Sequence, residues 1–147
     1  MTLTLVAVAG MTVDVDQGSA IPPTPPAPAP PPVVPEGIQA TIVVAAPTGT
    51  KCKAESKLIH RQDDTITVTN ISVPAAGATT VDPGPYVVKM VSSAQYVKAE
   101  NKFVLLDGDQ SETISATPKI PGTPPVDYPV SFKCVVTDAN QAKVKAQ

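Results

Sequence analysis

The sequence predicts an all-β protein, and three observations support this fold class. Val, Thr, Ala and Pro dominate the 147 residues, whereas aromatic residues make up only 3% of them. Val and Thr favour strands because their branched side chains fit a pleated surface. Short stretches of alternating apolar and polar residues are separated throughout by Gly, Pro and Asp turns. This spacing is typical of an immunoglobulin-like β-sandwich.

The strands follow from this alternation. They are predicted over residues 2–9, 38–45, 51–59, 65–73, 86–90, 102–106, 110–117, 128–137 and 141–145. Residues two apart lie on one face of a strand. Ile66 and Val68 are therefore expected to face the core together, and so are Phe132 and Cys134.

Residues 22–35 separate the first strand from the others. Nine of these fourteen residues are proline, which fixes φ and removes the backbone donor. A polyproline II spacer of about 40 Å is expected, at about 3.1 Å per residue. A ligand for SH3 or WW domains is the alternative, and the absence of flanking basic residues disfavours it.

Four segments result from these observations. They are an N-terminal extended arm (1–21), a proline-rich linker (22–35), a β-sandwich (36–118) and C-terminal strands that complete or extend it (119–147). A lone strand in the arm has unpaired backbone groups and no core to face. It either folds back on its own domain or adds to another chain, and the stiff linker favours the second. The residues predicted to bind the partner are Leu3, Leu5, Val6, Val8 and Val13.

Charge argues against several partners. The net charge is −2, and residues 36–147 carry eleven basic and eleven acidic side chains. Nucleic-acid binding needs a basic stripe, usually with exposed aromatics, and Lys51 and Lys53 are expected to form only a solvated strand face.

No apolar run reaches the roughly 18 residues that span a bilayer. The apolar start lacks a basic n-region, so no secretory signal is expected.

The sequence offers few groups for chemistry. The single histidine, His60, lies beside Arg61, Asp63 and Asp64 and is predicted to be a surface residue of a polar turn. No nucleophile-elbow pattern accompanies it. The pair Asp107 and Asp109 is expected to form a solvated turn rather than a calcium site. No catalytic residue, metal or cofactor is therefore predicted.

The two cysteines, Cys52 and Cys134, occupy apolar-alternating positions beside lysines. Both thiols are predicted to face inward from strands. They are either two reduced, small hydrophobic residues of the core or one disulfide that joins two strands.

Several motifs carry a family resemblance. Residues 40–52, Ala-Thr-Ile-Val-Val-Ala-Ala-Pro-Thr-Gly-Thr-Lys-Cys, resemble the opening strand and turn of PEGA domains. Residues 82–90, Asp-Pro-Gly-Pro-Tyr-Val-Val-Lys-Met, resemble a strand shared by PEGA and carboxypeptidase-regulatory-like domains, and residues 103–108 resemble their hairpin. The resemblance covers residues 38–117. It implies a small immunoglobulin-like or prealbumin-like sandwich and no particular site.

A leading strand, a stiff spacer and a domain without reactive groups suit a structural protein. The plan is similar to that of accessory proteins of tailed-phage particles, such as capsid decoration (cement) proteins and head fibres. We therefore expect a non-enzymatic virion protein, made without a signal peptide and anchored by its arm. Its expected partner is a major capsid protein or another virion protein, with several copies forming a homo-oligomer on the particle. Neither nucleic acid nor membrane is expected as a partner. The alternative is a bacterial envelope module that binds glycan or peptidoglycan.

Overall fold

A computed structural model of the chain describes residues 3–21, 37–73, 81–120 and 124–147. Within these ranges the protein is all-β, its strand pairs are antiparallel, and it contains no helix. The prediction of an all-β fold is confirmed. The predicted polyproline linker lies outside the described residues.

Fourteen strands make up the described chain. They are β1 (Thr4–Leu5), β2 (Thr12–Ile21), β3 (Gln39–Val44), β4 (Lys53–Ala54), β5 (Lys57–Leu58), β6 (Thr65–Ser72), β7 (Tyr86–Lys89), β8 (Lys98–Ala99), β9 (Lys102–Phe103), β10 (Ile114–Ala116), β11 (Lys119–Ile120), β12 (Val126–Asp127), β13 (Val130–Asp138) and β14 (Lys145–Ala146). Two sheets have three strands each, in the orders β3-β6-β7 and β10-β13-β2. The remaining strands form four two-stranded ribbons: β1-β14, β4-β5, β8-β9 and β11-β12.

The two three-stranded sheets share one apolar core. Alternate residues of β6 and β13 are buried, as the alternation predicted, and they include Ile66, Val68, Phe132 and Cys134. Burial of these aliphatic side chains removes apolar area from water, which is the main force that holds the sheets together.

The sheets also meet at both of their edges. A bridge between Met90 and Ser111 joins the end of β7 to the start of β10. On the other side, the Gln17 amide joins β2 to the start of β3, because its Nε2 donates to the Ile38 carbonyl (2.8 Å) and its Oε1 accepts from the Ile38 N–H (2.9 Å). The long strands therefore form a nearly closed ring, which leaves few unpaired edges.

The N-terminal segment requires a correction, because residues 3–21 are part of this domain rather than a separate arm. β2 pairs along β13, with Val13 opposite Val136 and Val15 opposite Cys134. Val6, Val8 and Val13 are buried, Leu5 packs against the core, and Leu3 is exposed. The physical reason is that β13 would otherwise present a free edge, which β2 pairs. In this structure Val6, Val8 and Val13 are buried within their own domain.

Truncation of the buried N-terminal side chains tests this placement. We expect Val8→Ala to lower the free energy of unfolding by about 2 kcal/mol, from lost burial and a residual cavity. Leu3→Ala, at an exposed position of the same segment, should leave it unchanged. Urea unfolding followed by circular dichroism measures both. If neither substitution changed the free energy of unfolding, the interpretation of this segment as a separate arm would be correct.

Candidate functional site

The strands repeat three times around a common axis. The first unit runs β3-β4-β5-β6 and the second β7-β8-β9-β10, and in each a long strand leads through a short ribbon into another long strand. The third unit is β13 and β14 followed by β1 and β2, so it is built from the two ends of the described chain. Within each unit the two long strands are joined, β3 to β6 by a ladder, β7 to β10 by a bridge and β13 to β2 by a ladder.

Three short segments surround the axis, one from each unit: residues 6–8, 59–61 and 104–106. Their middle residues form a closed ring of main-chain hydrogen bonds. Ala7 N–H donates to Leu105 (2.8 Å), Leu105 N–H donates to His60 (3.0 Å), and His60 N–H donates to Ala7 (3.0 Å). The flanking bridges are also cyclic: Val6 to Leu106, Val104 to Arg61, and Ile59 to Val8. Each segment thus pairs with both of the others.

The ribbon tips repeat this cyclic pattern farther out. The N–H of Thr50 donates to Glu100 Oε2 (3.0 Å), and the N–H of Ala142 donates to Glu55 Oε2 (2.9 Å). In the third of these contacts the Gln95 N–H donates to the backbone carbonyl of Gln147 (3.1 Å). Each unit therefore bonds the tip residue of a neighbouring ribbon, which locks the three ribbons together.

The same turn geometry recurs in the two local ribbons. In β4-β5 the two turn residues Glu55 and Ser56 have φ of 48° and 66°, and in β8-β9 Glu100 and Asn101 have φ of 49° and 71°. Positive φ at both central residues is the type I′ turn, whose twist matches the paired strands. Each of the axial segments 6–8, 59–61 and 104–106 is followed, two residues later, by another residue with positive φ. These residues are Gly10, Asp63 and Gly108.

Gly108 allows a test of this turn through the backbone alone. It has φ of 86°, and a Cβ built there meets no atom within 4 Å. We expect Gly108→Ala to cost about 1 kcal/mol of unfolding free energy, because L-residues are strained in this conformation. Asp63→Gly, at the equivalent position, is the matched control and should not destabilise. Thermal and urea unfolding measure both, and an unchanged Gly108→Ala protein would contradict the turn.

The first unit holds a buried polar cluster on the axis. Asp64 accepts hydrogen bonds from the Thr48 hydroxyl (2.6 Å) and the Arg61 N–H (3.0 Å), and its Oδ2 lies 3.0 Å from His60 Nδ1. The Arg61 guanidinium lies 3.4 Å from Glu100 and donates to Thr48 (2.9 Å), while its Nε is buried without a partner. His60 is only 1% exposed, so the prediction of a surface histidine is wrong. Its place on the axis buries it, and Asp64 satisfies its ring.

The second unit keeps the aspartate without the histidine. Asp109 accepts from the Leu106 N–H (2.8 Å) and from the hydroxyl and N–H of Ser93, so it closes the same turn as Asp64 does. The predicted solvated turn is therefore wrong for Asp109, which is buried. In the third unit Met11 takes the aspartate position, and the Asn140 amide donates to the Ala9 carbonyl (2.7 Å) instead.

The pKa values of the two aspartates shift in opposite directions. Burial favours the neutral form of both carboxyl groups. At Asp64 the hydrogen bonds from His60, Thr48 and the Arg61 N–H outweigh burial and hold the pKa below its ordinary 3.8. At Asp109 burial prevails over the bonds from Ser93 and Leu106, and the pKa is raised above 3.8.

These shifts predict opposite pH dependences of stability. The lowered pKa of Asp64 means that its contribution is present above pH 4 and is lost as the pH falls. The raised pKa of Asp109 means that its contribution is largest at low pH and is lost as the pH rises through that pKa. Urea unfolding from pH 3 to pH 7 should thus show the difference between wild type and Asp64→Asn shrinking in acid, and that for Asp109→Asn growing. Parallel pH profiles of the two variants would contradict this assignment.

Neither cysteine is placed for chemistry. Cys134 is buried on β13, and burial raises the pKa of its thiol to about 11. Cys52 is partly buried beside β4, and no disulfide joins the two. A neutral buried thiol is a poor nucleophile. Within the described ranges, no group of three or more His, Cys, Asp or Glu residues is arranged to hold a metal ion.

The three ribbons bring lysines together at one end of the molecule. We call this end the collar and define it as residues 51–58, 96–103, and 143–147 with 3–5. It carries seven of the eleven basic side chains (Lys51, Lys53, Lys57, Lys98, Lys102, Lys143 and Lys145) but only two of the thirteen acidic ones. At equivalent positions of the three ribbons, Lys53, Lys98 and Lys145 are exposed, and the following alanines are buried.

The collar was not predicted from the sequence, although a signal for it exists. Lys53-Ala-Glu-Ser-Lys57 is repeated 45 positions later as Lys98-Ala-Glu-Asn-Lys102, and Val144-Lys-Ala-Gln147 begins the same motif again. An apolar pair follows each five-residue motif, Leu58-Ile59 and Phe103-Val104. A search for internal repeats would have found this period.

Comparison of the chain with known protein families, with curated proteins and with solved structures finds no match. The described part of the chain has no helix that is long and apolar enough to cross a membrane.

Proposed function

We propose that the protein is a non-enzymatic structural protein of a virion, and that it sits on a three-fold axis of a homotrimeric partner. The observation that carries the proposal is the cyclic ring of hydrogen bonds among Ala7, His60 and Leu105. One chain with three similar units around an axis presents three similar surfaces. It can contact three copies of a partner through similar contacts, because the three subunits of a symmetric trimer present the same surface patch around their axis.

The placement of the single histidine and of the aspartates near it supports a structural role. His60 is on the axis and only 1% exposed, so no substrate can reach its ring in the folded state. Its partner Asp64 and the equivalent Asp109 are engaged in closing turns. Their positions are explained by folding alone.

The end opposite the collar, which we call the base, is the proposed contact with the trimer. Here β2, β6 and β10 end and β3, β7 and β13 begin, as the antiparallel pairing requires. Val81 and Val126 are exposed near this end, at 50% and 45%. Apolar area at the base would gain by burial against a partner, whereas the lysines of the collar face away.

Capsid decoration and head-fibre proteins remain the proposed class, since virions offer many three-fold positions and one copy would occupy each. Docking through a free N-terminal arm is not retained, because those residues pack in the domain. The immunoglobulin-like arrangement suggested by the PEGA resemblance also stays a prediction, and it does not require a three-fold repeat.

Stoichiometry tests this proposal. The tagged full chain should be purified with its partner from cells that produce the particle, and the complex weighed by native mass spectrometry. We expect one copy of the chain for three copies of a single partner. Val81→Asp with Val126→Asp should abolish the complex, and Val97→Asp, at an exposed collar position, is the matched control.

A complex of one to one, or a self-associated chain without partner, would overturn the three-fold role. Retention on peptidoglycan sacculi instead of a protein trimer would favour the bacterial envelope module.

A further inference from the structure

We infer that the collar binds the surface of a membrane that contains anionic phospholipids. This inference is independent of the trimeric partner, because it concerns the opposite end of the molecule and the isolated chain. It rests on the separation of charge along the axis. The collar holds seven basic and two acidic side chains, which leaves four basic and eleven acidic ones on the rest of the chain.

Most of the collar charge is available to a partner. In the described part of the chain, Lys51, Lys53, Lys98 and Lys145 form no ion pair. The weak pairs are Lys102 with Asp63 (3.5 Å) and Lys143 with Glu55 (4.0 Å), and both lysines are well exposed. The acidic Glu100 is directed inward, to Arg61 and the Thr50 N–H. The collar therefore presents an excess of cations to solvent.

The fold fixes the backbone positions of the collar lysines. Lys53, Lys98 and Lys145 each precede a buried alanine on a two-stranded ribbon, and the ribbons are bonded to one another through Glu55, Glu100 and Gln147. Lysines held at fixed backbone positions around one end can reach a flat anionic surface together, with little ordering of the backbone required on binding.

The exposed apolar side chains of the collar favour a membrane over a nucleic acid as its anionic partner. Tyr96 is 72% exposed and Leu3 is 56% exposed, and they flank Gln147, whose carbonyl accepts from the Tyr96 N–H (3.1 Å). Two further collar valines are exposed: Val97, which follows Tyr96 in the sequence, at 40%, and Val144, on the third ribbon, at 39%. Basic side chains mixed with Leu and an aromatic residue are typical of surfaces that rest in a lipid interface. Single-stranded nucleic acids prefer several stacking aromatics in a groove, and the collar exposes one tyrosine.

The expectation of no membrane partner was based on other features of the sequence. That expectation considered only bilayer-spanning segments and the overall charge of −2. Neither the lack of a bilayer-spanning segment nor the overall charge shows that the fold brings together lysines that are far apart in sequence.

Vesicle binding of the isolated full chain provides the test. The probes are large unilamellar vesicles of phosphatidylcholine alone and with one third phosphatidylglycerol, used in co-sedimentation at low salt and at 0.5 M salt. Binding to the anionic vesicles only, and its loss in high salt, is the expected result. The triple variant Lys53→Gln, Lys98→Gln, Lys145→Gln should bind about a hundredfold more weakly, since each surface lysine contributes about fivefold.

The matched control is the triple variant Lys89→Gln, Lys119→Gln, Lys133→Gln, which removes the same charge outside the collar and should bind as wild type. Thermal unfolding should first establish that both variants are folded. An equal loss in the two variants, equal binding to neutral vesicles, or preference for a duplex DNA over the vesicles would overturn the inference.

Discussion

The closed triangle of hydrogen bonds at the axis is the constraint on which the rest of the fold depends. A backbone N–H that is buried must find an acceptor, and here each of three segments supplies the acceptor for the next. No two of the segments can satisfy one another without the third. Once the triangle is formed, the turn, the ribbon and the long strands of each unit can follow in only one direction around the axis.

The same triangle of hydrogen bonds explains why three different residue types can occupy equivalent buried positions. His60, Leu105 and Ala7 occupy equivalent backbone positions and are all buried. Only the backbone must be alike at these three positions, so the side chains can differ. The first unit fills its position with an imidazole and supports it with Asp64, whereas the others use apolar side chains. A buried polar group needs such a partner, which accounts for Thr48 and Arg61 around Asp64.

Much of the strand content was readable from the sequence, because alternation along β6 and β13 reports directly on one buried face. The burial of His60 was not readable, since the segment His60-Arg-Gln-Asp-Asp64 has the composition of a solvated turn. The pairing of β2 with β13 joins residues at least 110 positions apart, and no local pattern encodes it. The collar could have been anticipated only by noticing the repeat of Lys-Ala-Glu and then inferring that repeated ribbons meet.

The third ribbon consists of β14 and β1, which lie at opposite ends of the described chain. The other two ribbons are local hairpins and can form as soon as their few residues exist. The third has no turn of its own, because Lys145 pairs with Leu5 across nearly the whole length of the sequence. During synthesis β1 must therefore wait until β14 has been made before this ribbon can close. Such long-range closure makes folding slow compared with that of locally connected proteins, and it couples the order of the domain to the pairing of β1 with β14.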